Sequence, residues 1–174
     1  NQDALITALS VAKLFKMNIS DNIQVMRKII TDGSACSSFQ RTMLIGLASN
    51  DSFIETSQGK IRITSLCLEE DACKIEKINE NKVNYSLSRQ GIPLLEIRTE
   101  PDIKTPEQAR EAAEKIGLIL RSFNSILRGI GTIRQDVNLS IKNGSRIEIK
   151  GFQELRMMPK IIDYEIARQV SIIK

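Results

Sequence analysis

The sequence predicts an α+β fold, with a mixed or antiparallel β-sheet and flanking helices, and three features carry that expectation. Strand-like runs cluster between residues 23 and 99. Two amphipathic helical patterns stand apart from them. Near the C-terminal end, a hairpin sequence alternates apolar and polar residues almost without a break.

The elements read in order as follows. Over residues 4–16 the apolar positions Leu5, Ala8, Leu9, Ala12 and Phe15 recur at helix spacing, with Asp3 as an expected cap. IQVMRKII (23–30) and FQRTMLIGL (39–47) are β-rich, and the polar stretch 31–38 between them is an expected loop. Residues 48–60 read as a second loop or hairpin, and KIRITSLCLEED (60–71) as a strand ending in three acids. VNYSL (83–87) is a short strand, SRQG (88–91) a turn, and IPLLEIRT (92–99) a strand whose Pro93 lies near its start, where a missing N–H matters least. Helix 106–123 carries Thr105 as cap, Pro106 in its first turn and Gln108 to complete a capping box. Its stripe is Ala109, Ala112, Ala113, Ile116, Leu120 and Phe123. A last helix starts near Pro159 and carries Ile162, Ile166 and Val170.

The hairpin 132–150 is the most informative stretch. Ile133, Val137, Leu139, Ile141, Ile147 and Ile149 fall on one face; Arg134, Asp136, Asn138, Ser140, Arg146, Glu148 and Lys150 fall on the other. A two-residue Asn143-Gly144 turn would pair Ile141 with Arg146 and mix the faces. A three-residue loop, Lys142 to Gly144, restores the parity and puts Gly144 in the left-handed third position. Leu139 then faces Ile147, Asn138 faces Glu148 and Asp136 faces Lys150.

Composition bounds the chemistry. The 174 residues suffice for one domain with a core, and 41% hydrophobic with 26% charged residues is ordinary globular composition. No run approaches the roughly 18 apolar residues of a membrane span. Three cysteines without a CxxC pair fit a reducing cytoplasm, and are most simply buried small hydrophobes. The absence of histidine disfavours zinc and excludes a Ser-His or Cys-His pair within this chain. What remains is carboxylate, Lys/Arg or hard-metal chemistry. A net charge of +4 tolerates a nucleotide or nucleic-acid ligand without demanding one.

Several residues stand out. The polar face of the hairpin is either a solvated surface laced with ion pairs or a surface for a nucleotide and its metal. Glu69, Glu70 and Asp71 are either simple solvent exposure or ligands, and alternation sends Glu69 and Glu70 to opposite sides. Glu96, inside apolar PLLEIRT, needs a cation, either Arg98 or Mg²⁺. Arg27 and Lys28 face opposite sides of a strand.

Taken together, VMRKIITDGSACSSFQRT (25–42), CLEEDACKI (67–75), LSRQGIPLLEIRTEPDIKTPEQAR (87–110), GIGTIRQDVNLSIKNGSRIEIKGFQEL (129–155) and EIARQ (165–169) resemble the GatB/GatE family of tRNA amidotransferase subunits. The DGS…FQRT loop, IRQD and KGFQEL favour the archaeal E type over the B type. The resemblance implies a catalytic cradle related to glutamine synthetase and the guanidino kinases. It implies a cytoplasmic ligase that uses ATP and Mg²⁺. The γ-carboxylate of glutamate on tRNA(Gln) is phosphorylated, then amidated with ammonia from a D-type amidase partner. It assigns Glu70, Glu96 and Arg134 to catalysis, and Glu69, Glu70 and Glu96 to the metal. Arg27, Lys28, Arg41, Asp136 and Asn138 go to the nucleotide. Residues 1–174 would be a single partial domain, the C-terminal portion of the cradle, without the N-terminal part, the insertion domain or the helical and tail domains. The chain begins with Asn, enters a helix at once and stops inside another. The family's metal-binding histidine is missing, and the piece alone is expected to be inactive. The B-type relative, and a binding-only domain that docks tRNA or the partner, remain the alternatives.

Overall fold

The computed structural model describes residues 1–79 and 82–173. In chain order the elements are α1 (Gln2–Leu14), β1 (Asn18–Ile19), β2 (Val25–Ile29), β3 (Phe39–Leu47), β4 (Phe53–Thr56), β5 (Gly59–Glu70), β6 (Lys74–Asn79), β7 (Lys82–Ser86), β8 (Pro93–Thr99), α2 (Pro106–Arg121), β9 (Gln135–Leu139), β10 (Ile147–Phe152), a short 3₁₀ turn at Leu155–Met157, and α3 (Met158–Ile173). The fold is α+β, and every strand pairing among the described residues is antiparallel. None of its helices is long and apolar enough to cross a membrane, among the described residues. The chain divides into two compact units, 1–52 with 63–99 and 53–62 with 100–174.

In the first unit β3 pairs with β1, β2 and β5, and β5 pairs with β8. Helix α1 lies on β3 and buries Ala8, Val11 and Ala12. A Cβ at Gly46 would come within 3.1 Å of the Met17 Cβ and 3.4 Å of the Ala12 Cβ, so this glycine sets how closely the helix end approaches the strand. Ile45, Ile63 and Leu66 are fully buried. The cap of α1 is Asn1, whose side chain accepts from the Ala4 N–H; Asp3 sits in the first turn, where its charge suits the helix dipole. Strand β6, exposed at all six residues, forms a separate hairpin with β7 and was not anticipated from the sequence.

In the second unit β4 and the start of β5 form the hairpin expected within 48–60. Thr105 caps α2 by accepting from the Gln108 N–H. The reciprocal half of the expected capping box is displaced by one residue, because Gln108 Oε1 accepts from the Lys104 N–H. Gln108 Nε2 donates to Thr56 Oγ1, and Glu111 accepts from both the backbone and the hydroxyl of Ser57, which ties α2 to the β4 hairpin.

Hairpin β9–β10 keeps the expected faces: the apolar positions are half-buried and the charged ones exposed. Ile147 pairs with Leu139 and Glu148 with Asn138. Val137, Leu139 and Ile149 pack on a core of Ala109, Phe152, Met158 and Ile162 from α2, β10 and α3. Three details differ from expectation. The left-handed residue of the turn is Asn143 (φ 65°), not Gly144. Gly144 is required instead by close approach, since a Cβ there would collide with the Gln169 side chain and Ile141 Cγ1. Asp136 does not face Lys150, because the register shifts between Ile149 and Phe152; Asp136 Oδ1 accepts from the N–H of Gly151, whose φ of 77° makes the bulge. In α3, Gln169 is buried and Val170 is 40% exposed, so the last turn points a polar residue inward where an apolar one was expected.

Candidate active site

The central strand of the first unit is β5, and its register decides which side chains meet. On one flank Thr42 is opposite Glu69 and Leu44 opposite Cys67. On the other, Glu96 is opposite Cys67 and Arg98 opposite Ser65. Residues paired across strands share a face. Thr42, Cys67, Glu69, Glu96 and Arg98 therefore stand on one side of the sheet. Lys28 joins them from β2, opposite Gln40.

Glu69 is 6% exposed, and its Oε1 accepts from Lys28 Nζ at 3.3 Å and from Thr42 Oγ1 at 3.1 Å. Arg98 Nη2 donates to both oxygens of Glu96, at 3.0 and 3.2 Å. Burial, then the charge of Glu96, pushes the Glu69 carboxyl above its ordinary range; Lys28 and the Thr42 hydroxyl pull it back. Burial and the same two carboxylates raise the Cys67 thiol. Glu69 thus stands close enough to Glu96 to feel its charge, and each acid has a cation beside it.

The opposite face carries a different group. Arg41 Nη1 donates to Glu70 Oε1 at 2.7 Å. The Arg27 and Arg41 guanidinium carbons lie 5.2 and 5.6 Å from the centroid of the Phe39 ring, within cation–π range. Arg27 and Lys28 diverge as strand alternation requires. The expected convergence of Glu70 with Glu96 is not what the sheet allows. Glu70 is opposite Pro93, three residues from Glu96 and on the other face, so Glu69 is the acid that neighbours Glu96.

Arg134, Asp136 and Asn138 belong to the second unit. Asp136 and Asn138 occupy the exposed face of β9–β10, with exposed Arg134 just before β9, and Lys150 pairs with Glu148 at 3.4 Å on the same hairpin. Among the described residues no three His, Cys, Asp or Glu side chains group to hold a metal. Thr42 is the one contact of the Glu69 cluster that sequence reasoning did not single out. Its signal would have been the register of β3 against β5, which alternation alone does not supply.

The donor set Glu69 with Glu96 suits a magnesium ion, which takes one or two carboxylates from protein and completes its shell with water and phosphate oxygens. The elevation of the Glu69 carboxyl by burial and by the charge of Glu96 is what a divalent cation would relieve.

Residues 1–174 match the GatB/GatE catalytic domain. The E subunit of the glutamyl-tRNA(Gln) amidotransferase of Methanococcus vannielii is 56% identical over 172 residues, covering 99% of this chain and 27% of that protein. The corresponding protein of Methanocaldococcus jannaschii is 52% identical over 174 residues, covering all of this chain and 27% of that protein. That of Archaeoglobus fulgidus is 49% identical over 174 residues, covering all of this chain and 28% of that protein. The chain thus spans about a quarter of the length of these relatives.

Proposed function

The chain belongs to the GatB/GatE catalytic-domain family, and from that premise we propose that it supplies the ATP-using face of a cytoplasmic tRNA amidotransferase of the E type. The substrate is glutamate esterified to tRNA(Gln). Its γ-carboxylate oxygen attacks the γ-phosphorus of ATP, giving an acyl phosphate and ADP. Ammonia, delivered by the D-type amidase partner, then attacks the acyl carbon and phosphate leaves.

The observation that carries this reading is the buried Glu69 beside Glu96, with Lys28, Arg98 and Thr42 around them. A carboxylate is a poor electrophile, and phosphorylation supplies a leaving group; the work left to the protein is positioning and charge stabilisation. Glu69 and Glu96 would hold Mg²⁺, which neutralises charge on the phosphates when bound. Thr42 fixes the Glu69 carboxylate through its hydroxyl. Lys28 and Arg98 are the cations on this face for phosphate oxygens. The second unit carries its own candidate nucleotide surface, with Asp136 and Asn138 as oxygen donors on the exposed face of β9 and Arg134 just before that strand. Arg27 and Arg41 share the opposite sheet face with Glu70, so one phosphate chain would engage Lys28 or these arginines, not both.

The test is positional isotope exchange in the full-length protein with its amidase partner. ATP labelled in the β,γ-bridge oxygen is incubated with glutamyl-tRNA(Gln) and no ammonia source. Acyl phosphate formation returns ATP with the label scrambled into non-bridging positions. ATP that stays unscrambled while product still forms on ammonia addition would remove the acyl phosphate. Absence of both ATP turnover and product with a competent partner would favour the docking alternative.

A further inference from the structure

Two of the three cysteines meet in a place the proposed chemistry does not use. The segment between β2 and β3 is a closed loop: the Ile30 N–H donates to the Ser38 carbonyl at 2.9 Å and the Ser38 N–H to the Ala35 carbonyl at 3.0 Å. Within it Asp32 Oδ1 accepts from the backbone and hydroxyl of Ser34 at 2.9 and 2.6 Å. The loop is fastened to distant parts of its unit by three side-chain bonds. Tyr85 donates to the Gly33 carbonyl at 2.6 Å. Cys73 Sγ donates to the Ser34 carbonyl at 3.4 Å, and Cys36 Sγ to the Ala72 carbonyl at 3.8 Å.

The last two bonds cross. Cys36 Sγ reaches the carbonyl of Ala72, the residue before Cys73, and Cys73 Sγ reaches the carbonyl of Ser34, two residues before Cys36, so the two thiols share one neighbourhood. The Cys36 thiol is raised by local desolvation and then by the hydrogen bond and charge of Cys73. Cys36 is exposed and Cys73 buried, while Arg89 Nη2 holds the Cys73 carbonyl at 3.2 Å. The arrangement is an accessible thiol beside a shielded one on a fixed backbone, which is the layout of an entry and a resolving cysteine.

We propose that Cys36 and Cys73 form a reversible disulfide when the protein meets a low-molecular-weight disulfide such as oxidised glutathione, clamping loop 30–38 onto segment 71–73. The Cys36 thiolate attacks one sulfur of the reagent, forming a mixed disulfide and expelling one thiolate. Cys73 gives its proton to solvent and attacks the Cys36 sulfur, expelling the second thiolate. The protein loses two electrons and two protons, and one reagent disulfide becomes two thiols. The clamp replaces two weak thiol bonds by a covalent one. It lies where β5 ends at Glu70 and where β2 ends one residue beyond Lys28.

The test uses the full-length protein incubated with oxidised glutathione, then alkylated, digested and weighed. The expected result is a linked pair of peptides containing Cys36 and Cys73, lighter than the two reduced peptides by two hydrogen atoms and released by a reductant. Cys36→Ser, at an exposed position, abolishes the link and Cys67→Ser keeps it. Hydrogen exchange of the 31–38 amides slows about ten-fold on oxidation. Recovery of both cysteines alkylated, or of Cys36 capped by glutathione with Cys73 still a free thiol, would overturn the proposal. So would a link that persists in Cys36→Ser.

Discussion

Thr42→Val isolates the contact that sequence reasoning did not find. Valine keeps the branched shape, so the change removes the hydroxyl that donates to Glu69 Oε1 at 3.1 Å and little else. Thr42 and Glu69 are 7% and 6% exposed, so water does not readily replace the lost donor. A hydrogen bond to a charged group contributes about 1.5–3 kcal/mol, and a buried acceptor left short of a donor keeps its desolvation penalty. The other partner, Lys28, is 38% exposed. Its ammonium is half-exposed, but the carboxylate that it neutralises is buried, so this is not a surface ion pair. Thr42→Val should therefore cost about 2 kcal/mol. The assay is urea denaturation read by hydrogen exchange in the β3 and β5 peptides. Repeating it in a Glu69→Leu background closes the double-mutant cycle, and there the cost of Thr42→Val should fall below about 0.5 kcal/mol. A Thr42→Val cost near zero, or one unchanged in the Glu69→Leu background, refutes the reasoning.

Three further outcomes follow from the geometry. Gly144→Ala forces a Cβ against the Gln169 side chain and Ile141, and should destabilise the second unit by about 1–3 kcal/mol, seen as faster exchange in β9 and β10. The Asp102 carboxyl is held at about 2, below its ordinary 3.8, first by hydrogen bonding from the Arg62 guanidinium. A depressed acid contributes stability that is complete above its unfolded value and is lost as pH falls through the folded one. Acid titration should thus expose a stability loss between pH 3.8 and about 2 that is absent in Asp102→Asn. Finally, Glu69→Gln should raise the Mg²⁺ concentration needed for half-maximal ATP turnover by at least about ten-fold, and Glu70→Gln by less, because only Glu69 neighbours Glu96. Equal shifts would contradict the sheet register.

Elements with strong local patterns were legible in the sequence. Strand β3 spans the residues expected of it, and the parity argument gave the Leu139–Ile147 pairing of the hairpin. Strand β6, KIEKIN, was missed because exposed on both faces it has no apolar alternation to read. The turn residue was misplaced because Asn and Gly both tolerate the left-handed region, and the chain places Asn143 there. The separation of Glu69 from Glu70 followed from alternation. Which of them meets Glu96 depends on strand register across non-local pairs and on irregularities between Leu44 and Gly46 and between Ile63 and Ser65, which periodicity does not encode. Motif likeness put Glu70 with Glu96 as metal ligands and Glu69 next; the register places Glu69, not Glu70, on the face of Glu96.

Glu96 is the residue on which the motif and the geometry agree, and Glu96→Gln in the full-length protein puts the ATP-using face to the test. The change keeps the shape of the side chain and removes its charge beside Glu69 and Arg98. The reading is tRNA-dependent release of ADP in the presence of Mg²⁺, with glutaminase activity of the amidase partner measured in the same preparation. The expected result is ADP release lowered by at least about a hundred-fold, in line with loss of transition-state charge stabilisation, with glutaminase activity retained. ADP release within a few-fold of the unmodified protein, in a correctly assembled complex, would contradict the assignment of this sheet face to phosphoryl transfer.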